Sequence, residues 1–340
     1  MKTKLISLVI AGAVVTPFAA QAGSLTVPNQ DITLSGGITG AYLYNSDTKR
    51  DAYAVADALI DLASEAKTGG MGFDLGIGTL GMNALDSSSP LTAIGNGGNT
   101  AVQYGWVSVI PTDGLEIDAG KLATNVGYEV APSYADANIL RGLVWFNQPV
   151  YYTGARATYS TGGMSFYAEA NKNAFGTGSG SGAGISGSFG SVDASLNVLS
   201  VVNSVSIVDV ILSSKIGSVD VAANIDYEAQ AEAAKVTGTD DNAYGIALYA
   251  TVPMGAQASL PIRVEYVDDG TSGIYGLGAA GASNTAMTFT VTPTYNFSDS
   301  TFVRAELAYV STDKKTTYVD DKNVLTDSNL IVGAQGGILF

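Results

Sequence analysis

The 340-residue sequence contains no cysteine and no histidine. The first absence removes disulfides and thiolate sites. The second removes the usual general base, the commonest metal ligand and every Ser-His or Cys-His arrangement. Proline is scarce at 9 residues, and charge is both scarce and one-sided, with 16 Lys and Arg against 31 Asp and Glu. Such an acidic balance speaks against nucleic acid and anionic lipid surfaces as partners. Beyond the N-terminal segment no apolar run is long enough for a transmembrane helix. What the chain has in excess is glycine, 41 residues, and tyrosine, 18 residues, which suit short strands and tight turns.

The first 22 residues read as an export leader. Lys2 and Lys4 precede the apolar run Leu5–Val15, and Ala20-Gln21-Ala22 is a small-x-small cleavage site before Gly23. The run is too short for a membrane anchor. Two of the 16 basic residues lie in this leader, so the remaining chain carries 14 basic against 31 acidic residues, a net charge of −17.

From Ile32 onward, two-residue alternation dominates and helical periodicity is nearly missing. Val219, Val221, Ala223, Ile225 and Tyr227 alternate with Asp220, Ala222, Asn224 and Asp226, and one face of Met287–Tyr295 is threonine four times. The alanine-rich Ala52–Ala66 could pass for a short helix; its pattern reads as strand. Sixteen such segments run from Ile32–Tyr44 to Asn329–Phe340. Short joints such as Pro111–Gly114, Gly190–Ser191 and Gly217–Ser218 alternate with longer ones such as Ala84–Asn99, Ala229–Asp241 and Asp313–Ser328. Turns at one rim and loops at the other are the mark of a bacterial transmembrane barrel. The expected fold is therefore all-β, a transmembrane antiparallel up-and-down barrel of 16 strands over residues 23–340. Pro293 inside a strand and the nearly uniform Ser204–Ile216 leave 14 strands as an alternative if either hairpin is lost, and an unseen hairpin would give 18.

Energy decides which face meets lipid. A Lys or Arg facing lipid at mid-bilayer costs about 2–4 kcal/mol, and a one-residue slip would put Arg263 and Glu265 there. The apolar faces therefore point out, and the acids, threonines and asparagines line a wet interior. Sixteen strands leave room for an aqueous channel.

The 27 residues Leu122–Gln148 are the longest joint, rich in aromatics (Tyr128, Tyr134, Trp145, Phe146) and carrying Glu129, Asp136 and Arg141. A loop of this length is functional or disordered, and its composition is too aromatic for a tether. It is expected to fold into the pore, with Glu129, Asp136, Arg141 and Lys121 at the constriction; a solvated external loop is the competing reading. Lys121 has lipid-facing parity, so the strand is expected to end or bulge there, with the side chain reaching inward or snorkelling. Glu116, Asp118, Arg156, Glu169, Arg263, Glu265, Arg304 and Glu306 face the lumen by alternation, bracing the wall or forming a solute ladder. Acids outnumber bases at lumen positions, among them Asp57, Asp61, Asp74, Asp193, Asp220 and Asp226, which favours cations.

Three stretches carry a family resemblance: Gln103–Ser108, Gly114–Lys121 and Thr124–Glu129, continued by Pro149-Val150-Tyr151-Tyr152-Thr153-Gly154-Ala155-Arg156. They resemble the OmpL-like β-barrel porins of Gram-negative bacteria, over roughly a third of the chain. Tyr152 stands where members often carry histidine, and Leu140-Arg141-Gly142 where they carry Ser-Arg-Ser. The resemblance implies an outer-membrane pore; in general porins the loop after the fifth strand folds inward, and here the longest loop also follows the fifth strand. Likeness to general porins adds a homotrimer as an expectation. The outward set Leu330, Val332, Ala334, Gly336, Ile338 and terminal Phe340 is similar to the signal that outer-membrane barrels present to their assembly machinery.

The expected function is passive diffusion of small polar solutes and ions through a weakly cation-selective pore in the outer membrane. The second reading is a passive surface barrel whose loops bind a partner. Enzymatic readings are poor: Glu116 and Asp118 could in principle serve as a glycosidase pair, but alternating acids on a wall strand are ordinary lumen lining. No cofactor or metal is called for, although the acid pairs Asp240-Asp241, Asp268-Asp269 and Asp320-Asp321 could hold a divalent cation.

Overall fold

Strands whose side chains alternate between two solvents have one stable arrangement in hydrocarbon, a closed cylinder with no free edge. The computed structural model shows that cylinder, and it describes residues 23–27, 30–81, 101–172, 174–175, 178–278, 281–315 and 318–340. The leader and the whole of the loop 84–99 lie outside the described residues.

In chain order the strands are β1 (Gly23–Val27), β2 (Gln30–Asn45), β3 (Arg50–Ser64), β4 (Met71–Leu80), β5 (Ala101–Thr112), β6 (Leu115–Ala123) and β7 (Tyr151–Thr161). Then come β8 (Met164–Lys172), β9 (Ser179–Phe189), β10 (Val192–Val201), β11 (Val205–Ile216), β12 (Val219–Gln230), β13 (Asn242–Pro253) and β14 (Ala258–Gly270). The set ends with β15 (Asn284–Val291), β16 (Thr294–Ser298), β17 (Thr301–Thr312), the loop hairpin β18 (Tyr318–Val319) and β19 (Leu325–Thr326), and β20 (Ser328–Leu339). Each barrel strand pairs antiparallel with its neighbours, and β20 pairs with both β17 and β2. Counting β15 and β16 as one interrupted strand and setting β1 and the loop hairpin aside, the barrel has 16 strands, as expected.

The closing seam is bonded along its length. β20 covers β2 from Gly37 to Asn45, and Phe340 and Gly36 exchange backbone hydrogen bonds of 2.9 and 3.1 Å. Where β20 stops, β1 folds back on β2 from Gly23↔Leu34 to Val27↔Gln30 and covers the edge that would otherwise be free.

Pro293 does not remove a strand; it divides one. β15 stops at Val291 and β16 starts at Thr294, opposite Pro261 on β14, which also lacks a donor. Two bonds span the gap: the Thr292 N–H donates to the Pro261 carbonyl at 2.9 Å and the Ala305 N–H to the Pro293 carbonyl at 3.1 Å. Ser204–Ile216 is an ordinary wall strand, β11, with Asp209 inward and Val208 and Leu212 outward.

The alanine-rich segment is a strand with a bulge. Thr39 pairs with Asp57 and Gly40 with Val55, so Ala56 is the extra residue. The parity shift keeps Asp57 inside while turning Tyr53 and Val55 outward, both largely exposed. Elsewhere the two faces differ as the energetic argument requires: outward Met287 and Phe289 are 57% and 45% exposed, whereas inward Thr288 and Thr290 are 3% and 0%. Exposed aromatics stand at both rims, Tyr159, Phe166, Phe189 and Phe297 at the short turns and Tyr53, Tyr227, Tyr244 and Tyr309 along part of the loop side, as in the girdles of a membrane barrel. Two connections at the loop rim, 46–49 and 202–204, are as short as the turns.

The bulge generates a prediction. Deleting Ala56 removes the bulge and leaves Asp57 inward with Val55 and Tyr53 outward, so the variant should keep the fast-migrating unheated form on detergent gels, whereas deleting Ala58 would turn Asp57 towards lipid and should lose it. Ala56→Ser, which preserves the residue count, should retain it.

Candidate functional site

Residues 124–150 leave the wall at the end of β6 and return at β7, turning into the barrel rather than away from it. The neck is closed by the Thr124 N–H donating to the Val150 carbonyl at 3.0 Å. Arg156 on β7 braces it, donating to the Ala123 carbonyl at 2.9 Å, to Asn125 at 3.2 Å and to Glu169 at 2.8 Å. At Gly127, with φ +93°, an added Cβ would lie 1.9 Å from the Gln148 side chain, so the two limbs of the neck approach at a point only glycine permits. Beyond it the loop forms a 3-10 turn, Ser133–Ala135, and a single helical turn, Leu143–Phe146.

The loop then binds the far wall. On β12, Asn224 accepts from the Tyr128 N–H at 3.1 Å and from Gln148 at 2.9 Å, and Asp226 accepts from Gln148 at 2.6 Å. On β14, Arg263 donates to the Leu140 carbonyl at 2.7 Å and to Glu129, while Glu265 accepts from the Val144 N–H at 3.1 Å. On β17, Glu306 accepts from the Ile139 and Leu140 N–H groups at 2.5 and 3.0 Å, and Arg304 donates to the Ser133 and Asp136 carbonyls at 2.6 and 2.7 Å. Thr292 accepts from Asn138 at 2.6 Å, Gln335 on β20 donates to Ser133 at 2.6 Å, and Asp57 on β3 accepts from the Ser133 N–H at 3.1 Å.

The predicted constriction residues separate. Glu129, Asp136 and Arg141 are brought together inside the barrel, which excludes a solvated external loop, but they are 5%, 4% and 0% exposed. Glu129 meets Arg263 and the Gly142 N–H (2.7 Å). Arg141 lies 3.7 Å from Asp136, donates to the Val130 and Ala131 carbonyls and stacks 5.6 Å from the Trp145 ring. They hold the loop to itself and to the wall. Burial pushes the carboxyls of Glu129 and Asp136 up, opposed by Arg263 and Arg141 respectively, so each acid depends on its guanidinium. Lys121 is not with them. β6 neither ends nor bulges at this residue, and its pairing with Thr153 keeps the side chain on the outer face, with Nζ donating to the Val102 carbonyl at 3.3 Å.

The expected lining residues face inward but in two groups. Arg263, Glu265, Arg304 and Glu306 are sealed beneath the loop. Glu116, Asp118, Arg156 and Glu169 stand on the opposite wall, with Ser108 donating to Asp118 at 2.5 Å. The interior is also drier than alternation implied. Tyr128, Ile139, Leu140, Leu143 and Val144 of the loop pack against Leu43, Ile211, Ala247, Tyr249 and Val267 of the wall, and Tyr275, Leu277 and Tyr318 of outer loops join them. Towards the short turns the lumen is acidic, with Asp61, Asp74, Glu116, Asp118, Asp193 and Asp220, and Lys215 pairs with Asp220 at 3.1 Å.

Asn224, Thr292, Gln335 and Glu228, which accepts from Asn147, were not expected at the site. Their only sequence signal is inward parity; which strands the loop reaches is not written there. The acid pairs in the outer loops act as local caps. Asp240 accepts from the Thr271 N–H and hydroxyl at 2.9 and 2.7 Å, Asp269 from the Tyr275 and Leu277 N–H groups, and Asp320 from the Lys322 and Val324 N–H groups.

Comparison with solved structures finds the same architecture at low identity. OmpT of Vibrio cholerae superposes with a TM-score of 0.67 at 12% identity, covering 94% of this chain and 100% of that one. The outer membrane channel DcaP of Acinetobacter baumannii gives 0.66 at 12% identity with 94% and 100% coverage. An anion-selective porin from Comamonas acidovorans gives 0.63 at 13% identity with 91% and 99% coverage. No curated protein matches the sequence. The family model described as "Putative beta-barrel porin-2, OmpL-like" matches residues 31–340, and the chain belongs to that family of porin-like barrels of the Gram-negative outer membrane.

Proposed function

We propose that the protein is a diffusion pore for small polar solutes and ions with a weak preference for cations, reached by export across the inner membrane and assembled through the C-terminal strand ending in Phe340. The loop bound across the lumen carries this reading. It narrows the barrel from one side, leaving the wall with Glu116 and Arg156 as the solute's flank and the acidic vestibule as the approach. Because Glu129, Asp136 and Arg141 are turned into the loop's own contacts, the vestibule carboxylates set the charge preference, and rings of carboxylates favour cations. Screening over about 8 Å at physiological salt keeps the preference weak. The similarly folded Comamonas porin is anion-selective, so the cation preference is inferred from this chain's own carboxylates and not from the fold. A trimeric form of the Vibrio OmpT supports a homotrimer for this chain. The second reading, a passive barrel whose loops bind a partner, draws support from the apolar packing in the lumen.

Purified protein in a planar bilayer should give stepwise ohmic currents with a cation-selective reversal potential across a KCl gradient. Silence would favour the passive barrel, and an anion-selective sign would refute the charge assignment. Asp61→Asn with Asp74→Asn should lower the cation preference, whereas Glu129→Gln should act on loop docking before selectivity.

Glu306 holds two loop N–H groups, and hydrogen bonds to a charged group are worth about 1.5–3 kcal/mol. Glu306→Gln should therefore shift the docked loop roughly 10- to 100-fold towards release. The readout is larger or flickering unit conductance with unchanged heat-modifiable mobility. Unaltered single-channel traces would mean that the loop does not limit the current.

A further inference from the structure

The membrane-facing surface changes character on part of the loop rim. On β12, β13, β17 and β3 outward tyrosines stand there, exposed. At the corresponding ends of β6–β9 no exposed aromatic appears. Instead one cross-strand row reads Lys121↔Thr153↔Lys172↔Ser179. Directly opposite residues share a face, so all four side chains point the same way, and burial shows it is the outer one: Thr153, Lys172 and Ser179 are exposed and Lys121 half-buried. The next outward row, Ala119, Ala155, Ala170 and Ser181, is small throughout, so nothing shields the lysine stems.

Among the described residues neither ammonium meets a carboxylate. Among the described residues, Lys49, Lys215 and Lys235 each reach a carboxylate, whereas Lys121 and Lys172 form no ion pair, and no acid stands outward on β6–β9. Lys121 gives one hydrogen bond to the Val102 carbonyl at 3.3 Å and lies 5.7 Å from the Tyr151 ring, which fixes its stem while leaving donors to spare. A cation on the lipid face at a rim takes its counter-charge from the headgroups. The chain as a whole is acidic, which repels anionic lipid elsewhere and makes this row the place where such a lipid can sit.

We propose that Lys121, Thr153, Lys172 and Ser179 form a binding site for the phosphates of a glycolipid in the outer leaflet. The two lysines lie two strands apart, about 10 Å at strand spacing, so each can take one phosphate of a bisphosphorylated sugar headgroup, with the hydroxyls of Thr153 and Ser179 as further donors. The inference rests on the outer-membrane placement of the barrel but not on its conducting ions.

The test uses the full chain in neutral phosphatidylcholine nanodiscs doped with bisphosphorylated lipid A or with lipid A stripped of both phosphates, and reads lipid retained by native mass spectrometry. The wild type should retain the phosphorylated form selectively. K121Q/K172Q should retain it roughly tenfold less or weaker still, and K121R/K172R should restore retention. Both lysines are outside the folded interior, so the Gln variant keeps its heat-modifiable mobility. Equal retention by that variant, or equal retention of the stripped lipid, would overturn the proposal. Displacement by millimolar inorganic phosphate would make this a site for a free anion, and an oligomer that falls apart in the Gln variant without lipid A would make it an interface between copies; either result also overturns it. Conductance is recorded in parallel: silent channels with selective lipid retention count against the pore reading alone.

Discussion

Arg263 has no exposed surface, and a guanidinium so placed must be answered by charge and by hydrogen-bond acceptors. Its own strand supplies Glu265 at 3.3 Å and the neighbouring strand supplies Thr290 at 3.2 Å. The remaining partners, Glu129 and the Leu140 carbonyl, come from the loop. Removing one partner of a buried pair costs about 3–5 kcal/mol, so wall and loop hold each other. Glu306 and Arg304 repeat the arrangement on β17 with the signs divided between them, one accepting loop N–H groups and the other donating to loop carbonyls. These contacts also solve the loop's backbone accounting. A segment of irregular chain at membrane depth is tolerated only where its polar groups find partners, and here the wall's charged side chains are those partners.

The same constraint shapes the wall. Ala56 is inserted, and β15–β16 is interrupted at Pro293, without exposing polar groups to lipid: the bulge restores outward parity, and two hydrogen bonds bridge the proline gap. β1 does for the seam what the loop contacts do for the lumen, covering donors and acceptors on β2 that β20 does not reach.

Strand number, strand parity and the inward course of the loop after β6 were legible because each depends on local pattern: a period of two, joint length and aromatic content. The inward direction of Arg156, Arg263 and Arg304 followed from the cost of a charge in hydrocarbon. What parity cannot convey is distance across the lumen. Nothing adjacent in sequence links Glu306 to Ile139 or Asn224 to Tyr128, so the charges of the loop read as a filter when they are its fastenings. Nor does alternation show that inward Leu43, Ala247 and Val267 meet apolar loop residues rather than water. Lys121 was misplaced for a related reason: its lipid-facing parity was correct, and the rim position that makes it tolerable depends on where β6 ends.

The central claim is that the loop lies docked on the far wall. The chain has no cysteine, so a single pair can report on it: Asn138→Cys in the loop with Thr292→Cys at the break between β15 and β16, positions joined by a 2.6 Å hydrogen bond. In the folded protein in detergent, a short thiol-bridging reagent should link the pair nearly completely within one chain and protect both thiols from a water-soluble maleimide. Two thiols that stay unlinked and label at the rate of an exposed loop cysteine would contradict the account.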